Sequence, residues 1–308
     1  MCIRSLTAVF VLLCASLHVQ ASCIGVIPAG AEHLFWREVI RGAETAAKEE
    51  KLLTYVRSPN TETNEAAQKY IIEKALDEGC KGIVLAPNSL DILSSVPRLA
   101  ELGTPVVYVD RDMGGAPISV VKTNNFNAGA LAGREMAKRL NGKGTVALLR
   151  MLEGVISTTE RETGFLHALN DTDIEVVHDG YIGSTVGEAR ENTALLFQSG
   201  LQVDAIFTPN ESSTIGALLT LKQMGLAGQI HHIGFDFTPL LLAALKSNEI
   251  SGLVVQHPFR MGYLGTKTLI KALNNEAFGK TIDIPVHYID LSNLNDPEVQ
   301  EVVAVEYE

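Results

Sequence analysis

The sequence predicts an α/β protein built as two similar doubly wound parallel-sheet lobes with a ligand site in the cleft between them. Three observations carry this prediction. Short β-branched runs alternate with amphipathic helices, the pattern of parallel sheets covered on both faces. The alternation runs twice, with local sequences that echo one another. The 308 residues exceed one ordinary core but suit two lobes of roughly 120 to 150 residues each.

In chain order the apolar runs are Ile24–Pro28, Leu52–Arg57, Gly82–Pro87, Pro105–Asp110, Thr145–Arg150, Glu175–Gly180, Ala205–Pro209 and His231–Asp236, each ending in turn residues. Between the first of them, Phe35–Glu50 places Val39, Ile40, Ala43, Ala46 and Ala47 on one helical face. Thr63–Asp77 does the same with Ala66, Tyr70, Ile71 and Leu76. The doubling is visible in "GIVLAPNS" (Gly82–Ser89), echoed by "AIFTPNES" (Ala205–Ser212), and in "PVVYVDRD" (Pro105–Asp112), echoed by "HHIGFDFTP" (His231–Pro239). In each copy a buried strand runs into a polar residue and then a helix.

The first 21 residues read as a secretory signal. Arg4 supplies a positive start, Leu6–Leu17 is nearly continuous in apolar residues, and Val19 and Ala21 fit a cleavage site after Ala21. The apolar run, about 12 residues, is shorter than the roughly 20 of a bilayer span. The expected product is an exported, soluble chain. Cleavage removes Cys2 and Cys14 and leaves Cys23 and Cys80. Both precede apolar strands that are neighbours in a sheet of order 2-1-3, so a Cys23–Cys80 disulfide is expected in an oxidising compartment. Two free buried thiols, or a lipid on Cys23, are the alternatives.

Charge and motifs exclude several function classes. The formal charge of −11 becomes −12 once Arg4 is removed, which disfavours sequence-independent binding to nucleic acid. The chain has no HExxH run, no G-x-S-x-G elbow, no Cys-x-x-C and no P-loop, since Gly142-Lys143-Gly144 lacks the flanking glycine and hydroxyl. His231 and His232, adjacent in a strand, point to opposite faces and cannot jointly hold a metal. No enzyme, metal site or cofactor is expected.

Ligands of open parallel sheets bind beyond the carboxyl ends of the strands. That rule selects His33, Asp110, Arg111, Asn210 and Asp236. Phe35 and Trp36, at the first strand-to-helix corner, offer flat apolar faces for a sugar ring, and Asp110-Arg111 offers directional acceptors and donors for its hydroxyls. Each residue alone also has an ordinary reading: packing for the aromatics, a solvated ion pair for Asp110-Arg111, a surface charge for Arg161.

Taken together, "IGVIPAGAEHLFWREVIRGAE", "GIVLAPN", "PVVYVDRD", "TERETGF", "FTPNESSTIGAL", "IGFDFTP" and "LVVQHPFRMG" resemble, in the same order, the ribose/galactose-type periplasmic sugar-binding proteins of ABC transporters, the type I periplasmic binding protein family. The likeness runs from about Ile24 to Tyr288. It implies that a small sugar is held by His33, Phe35, Trp36, Asp110 and Arg111 from the first lobe and by Arg161, Asn210, Asp236 and Gln256 from the second. Ala29 stands where such proteins often carry a small polar residue. The second-lobe aromatic of the family has no clear counterpart at Gly183 or Ser184, with Tyr181 or Phe235 as substitutes. His33 replaces an amide, which argues for a ring other than ribose.

The resemblance also places three hinge crossings, near Thr123-Asn124, Gln256-His257 and Ile284-Pro285. The expected domains are residues 1–21 as signal peptide, 22–123 plus 257–284 as the N-terminal lobe, and 124–256 plus 285–308 as the C-terminal lobe. The implied partner of this monomer is the membrane permease of an ABC transporter. A membrane histidine kinase or chemoreceptor is the alternative. Glu44, Glu49 and Glu50 are either charges that pair with basic sockets of the permease or a solvated helix face. A transcription regulator with the same lobes would carry a helix-turn-helix and a basic N-terminus where this chain has an export signal.

Overall fold

The computed structural model describes residues 23–303 apart from residue 32, so the expected signal peptide lies outside the described residues. The chain opens with β1 (Cys23–Ile27), α1 (Leu34–Glu49), β2 (Leu53–Val56), α2 (Glu65–Asp77), β3 (Cys80–Leu85), α3 (Ser95–Glu101), β4 (Val106–Val109) and β5 (Ser119–Thr123). It continues through α4 (Asn125–Arg139), β6 (Lys143–Arg150), α5 (Ile156–Leu169), β7 (Asp173–Tyr181), α6 (Val186–Gln198), β8 (Ala205–Phe207), α7 (Glu211–Gln223), β9 (His231–Phe235), α8 (Pro239–Lys246) and β10 (Gly252–Val255). The last elements are α9 (Pro258–Leu273), β11 (Thr281–Ile284), β12 (His287–Ile289) and α10 (Pro297–Val303).

These strands form two six-stranded sheets, ordered β11-β5-β4-β3-β1-β2 and β12-β10-β9-β8-β6-β7. The pairing is parallel throughout except for β12, which runs antiparallel to β10. The two orders are the same once β5 is matched with β10, and each sheet ends on a short strand donated late in the chain. The chain moves from the first sheet to the second between β5 and α4, returns between β10 and α9, and crosses again between β11 and β12. The apolar runs read from the sequence omit β5, β10, β11 and β12, although Gly114-Gly115 and Pro117 precede β5 and Pro285 separates β11 from β12.

Parallel strands buried on both faces need nearly continuous apolar sequence, and β3, β4 and β9 provide it in Ile83, Val84, Leu85, Val106, Val107, Ile233 and Phe235. Cys23 and Cys80 are Cα partners on β1 and β3 and are joined by a disulfide. The face expected for the second helix is rotated: Ala66 and Tyr70 are exposed, and α2 buries Gln68, Ile71, Ile72 and Ala75 instead. The buried Gln68 amide donates to the carbonyls of Pro28 and Ala86 and accepts from the Asn88 N–H, stitching the carboxyl ends of β1 and β3 together. A buried polar side chain so fully satisfied replaces apolar packing without the usual desolvation penalty.

Each sheet is covered by a closely packed helix pair, α1 with α9 and α4 with α5. Glycine permits both approaches: a Cβ at Gly42 would collide with the Phe259 carbonyl, and one at Gly129 with the Arg161 carbonyl. On the outer surface of the first pair, Glu49 and Glu50 each hold Lys267 at 2.8 Å. These acids are therefore engaged within their own lobe. Among the described residues no helix is long and apolar enough to cross a membrane.

Candidate functional site

The carboxyl ends of both sheets face one cavity enclosing about 330 Å3 of space not occupied by atoms, part of it open to solvent. Its lining comes from both lobes: His33, Phe35, Trp36, Glu62, Asp110 and Arg111 from the first, and Met151, Ser157, Thr158, Arg161, Asn210, Glu211, Asp236 and Gln256 from the second. All nine principal residues selected from the sequence are therefore brought to one place.

Asp110 and Asp236 arrive there by the same backbone device. Each follows its strand, β4 or β9, and adopts the left-handed conformation, at φ 68° and 69° respectively. Asp is one of the few L-residues that tolerates this region. Each N–H donates to the carbonyl of the next strand over, Val121 on β5 or Val254 on β10. The repeat heard in the sequence is thus a repeat of one turn.

The first lobe builds a connected cluster around Glu62, in the loop between β2 and α2. Its carboxylate accepts from the Trp36 indole N–H at 2.7 Å and from the Arg111 guanidinium, and it lies 3.6 Å from His33 Nε2. Arg111 Nε donates to Asp110 Oδ2 at 3.1 Å. Burial opposes ionisation of Glu62, but the charges of Arg111 and His33 beside it hold its carboxyl below the usual range. Burial prevails at Asp110, pushing its carboxyl up against the opposing pull of Arg111 and Arg161. Phe35 and Trp36 meet edge to face, with ring centroids 4.8 Å apart, and both border the cavity.

The second lobe uses helix starts. Asn210 caps α7, its Oδ1 accepting from the Ser213 N–H at 3.2 Å and its Nδ2 donating to Ser212 Oγ at 2.9 Å. One amide hydrogen is left over, since an amide NH2 carries two. Arg161, on α5, donates to Asn125 Oδ1 and the Pro209 carbonyl and lies 4.0 Å above the Phe235 ring. Asp236 accepts from the Glu211 N–H at 2.9 Å and from Gln256 Nε2 at 2.7 Å. Burial pushes the carboxyls of Asp236 and Glu211 up.

Among the described residues, side-chain hydrogen bonds join the lobes at two places. The Glu211 carboxylate accepts from the N–H groups of Leu34 and Phe35, both at 3.1 Å, at the start of α1. A helix N-terminus offers unsatisfied donors and a favourable dipole to just such an anion. At the crossing itself, Thr123 Oγ1 donates to Gln256 Oε1 at 2.8 Å, so Gln256 links the first crossing to Asp236.

Ala29, Tyr181 and Phe235 stay out of the cavity. Ala29 is consumed by the first-lobe core, and Phe235 lies on the core face of β9 beneath Arg161. Tyr181 ends the edge strand β7 and is half exposed. The Gly183-Ser184-Thr185 stretch is a helix cap, with Glu188 accepting from the N–H groups of Ser184 and Thr185. No second aromatic face arises there, because the geometry is spent on starting α6.

Sequence reasoning missed Glu62, Glu211, Met151, Ser157 and Thr158. The strand-end rule, applied to every loop rather than to the echoed motifs, would have reached Glu62 after β2 and Met151 after β6. Glu211 was hidden beside Asn210.

Comparison with known proteins places this geometry among relatives. A family model described as a periplasmic binding protein domain matches residues 24–277. The ribose import binding protein RbsB of Bacillus subtilis is 27% identical over 271 residues, covering 85% of each chain. The structure of the periplasmic component of an ABC-type sugar transport system from Hahella chejuensis is 36% identical, with a TM-score of 0.83, covering 87% of this chain and 99% of that one. An ABC transporter solute-binding protein from Agrobacterium vitis, with bound D-fucose, is 28% identical with a TM-score of 0.87, covering 92% and 100%.

Proposed function

The chain belongs to the periplasmic binding protein family, and from that premise we propose that it captures a small sugar by closing its lobes and delivers it to an ABC transporter. It performs no chemistry on the ligand. The observation that carries the reading is a single cavity lined by both lobes, in which an aromatic corner stands beside buried carboxylates, guanidiniums and amides. A ligand stabilises a closed form only if it touches both lobes, which this arrangement allows.

Phe35 and Trp36 take the apolar faces of the ring. His33, Asp110 and Arg111 from one side, and Arg161, Asn210, Asp236 and Gln256 from the other, take its hydroxyls. The three crossings between the sheets act as the hinge, giving lobes of residues 22–123 plus 257–284 and of 124–256 plus 285–308. The mature protein is exported to the periplasm after cleavage at Ala21 and acts as a monomer. Its partner is a membrane permease, which reads lobe closure through the outer surfaces.

A thermal-shift screen of pentoses, hexoses and polyols tests the reading. A ligand at a hundred times its dissociation constant adds about 2.7 kcal/mol of stability. Trp36 is the only tryptophan in the sequence, so a bound ring changes its fluorescence. No shift with any sugar removes the proposal. Mass spectrometry of the secreted protein checks the cleavage site.

A further inference from the structure

We infer that the cavity is built for a sugar-sized polyol carrying a protonated amine, rather than for a neutral monosaccharide. This rests on the sugar-binding reading and narrows its ligand class. The cavity is lined by four carboxylates, Glu62, Asp110, Glu211 and Asp236, against two guanidiniums, Arg111 and Arg161, and every one of them is at most 8% exposed. The formal charge is −2 with His33 neutral and −1 with its imidazole protonated. Either way the site is short of positive charge.

The hydrogen bonding sharpens the deficit. Arg111 serves both Glu62 and Asp110. Glu211 and Asp236 are held by backbone N–H groups and the Gln256 amide, all neutral donors. Arg161 spends its bonds on the neutral Asn125 and Pro209 oxygens. Among the described residues Asp110 Oδ1 takes no hydrogen bond, and the buried His33 Nε2, on the cavity wall, has no hydrogen-bond partner. Asp110 Oδ1 is an acceptor, and His33 Nε2, 3.6 Å from the Glu62 carboxylate, is one only when the ring proton sits on Nδ1.

Uncompensated charge on side chains this deeply buried is costly. A sugar hydroxyl can bond to a carboxylate but cannot offset its charge, whereas an ammonium does both and brings three donors. A metal ion is not the complement, because among the described residues no three His, Cys, Asp or Glu side chains are grouped to hold one. Burial also pushes the carboxyls of Asp110, Asp236 and Glu211 up.

The test is titration calorimetry of the mature protein with matched sugars: D-glucose, D-glucosamine and N-acetyl-D-glucosamine, and the same three forms of D-galactose. In at least one series the amine is expected to bind at least tenfold more tightly than the neutral parent and the uncharged N-acetyl form. Glu62→Gln and Glu211→Gln, which keep shape and remove charge, are expected to shrink that ratio. A neutral sugar that binds as tightly as its amine, or binds while its amine does not, overturns the inference and leaves the sugar reading standing. If no sugar of either kind binds, both fall together.

Discussion

The two lobes repeat one topology but assemble their halves of the site in different ways. In the first lobe the acid and its base are consecutive, Asp110 and Arg111, and the aromatic pair Phe35-Trp36 opens the helix after β1. Glu62 then ties Trp36 and Arg111 together by hydrogen bonds, with His33 3.6 Å away. In the second lobe Phe237 follows Asp236, and the guanidinium comes from Arg161, far away on α5. That side chain is set by the glycine-mediated packing of α5 on α4 and by its stacking over Phe235. One lobe presents a hydrogen-bonded cluster centred on Glu62, while the other presents groups that depend on helix packing and caps. The difference teaches that a repeated fold conserves the turn carrying the acid, not the source of the base that faces it.

The largest break in the comparison is the covalent one. The first lobe is closed by Cys23–Cys80, at a sequence separation of 57, and no disulfide ties the described part of the second. Loop-closure entropy for such a separation is about 4 kcal/mol. Cys80→Ala is expected to lower the stability of the first lobe by that order in urea unfolding, and reductant is expected to act on wild type but not on the variant. Equal stability of the two proteins would show that the bridge is idle.

Next is the charge that only the second lobe brings from a distance. Arg161→Ala leaves Asp110 and Asp236 facing each other without it, and is expected to weaken sugar binding by about 3 kcal/mol, somewhat more than Asp110→Ala at about 2 kcal/mol. Calorimetry on a sugar found to bind decides. Equal losses would remove the proposed asymmetry.

The contact that joins the lobes is weaker. Glu211→Gln keeps one acceptor for the start of α1 but loses the charge, an expected cost of about 1 kcal/mol to the closed form. Small-angle scattering of the ligand-free variant should show a larger radius of gyration than wild type, and an unchanged radius would place closure elsewhere.

The smallest effect concerns pH and the second lobe alone. Burial pushes the Glu162 carboxyl, on α5 beside Arg150, up to about 7 from an ordinary 4.5. The folded state therefore holds a proton that the unfolded chain has released. Stability from this group is complete below about pH 4.5 and is lost as pH rises through about 7. Glu162→Gln is expected to flatten that decline in stability between pH 5 and pH 8. Parallel pH profiles of the two proteins would contradict it.

Much of this was readable without coordinates, and for local reasons. The alternation of β-branched runs and helices, the doubled motifs and the rule that ligands sit at strand ends led to Asp110, Asp236 and Asn210, because each lies within three residues of a strand end. Gln256 and Arg161 came from resemblance to a family, since neither stands out by its neighbours. Tyr181 and Phe235 were proposed for a missing aromatic face and found elsewhere, because which side of a strand a ring takes depends on the core behind it.

By itself, the sequence determined the two-lobe α/β architecture and the strand ends from which the cavity is built, and it raised the partnership of Cys23 with Cys80 that the structure shows. These follow from periodicity, composition and turn chemistry, which act over a few residues. Only the tertiary structure decided that Glu62 is the hub of the first lobe, that Glu211 reaches across to α1, and that the cavity holds more acid than base. Those facts depend on side chains distant in sequence meeting in a water-poor space, where one unpaired charge outweighs many local preferences.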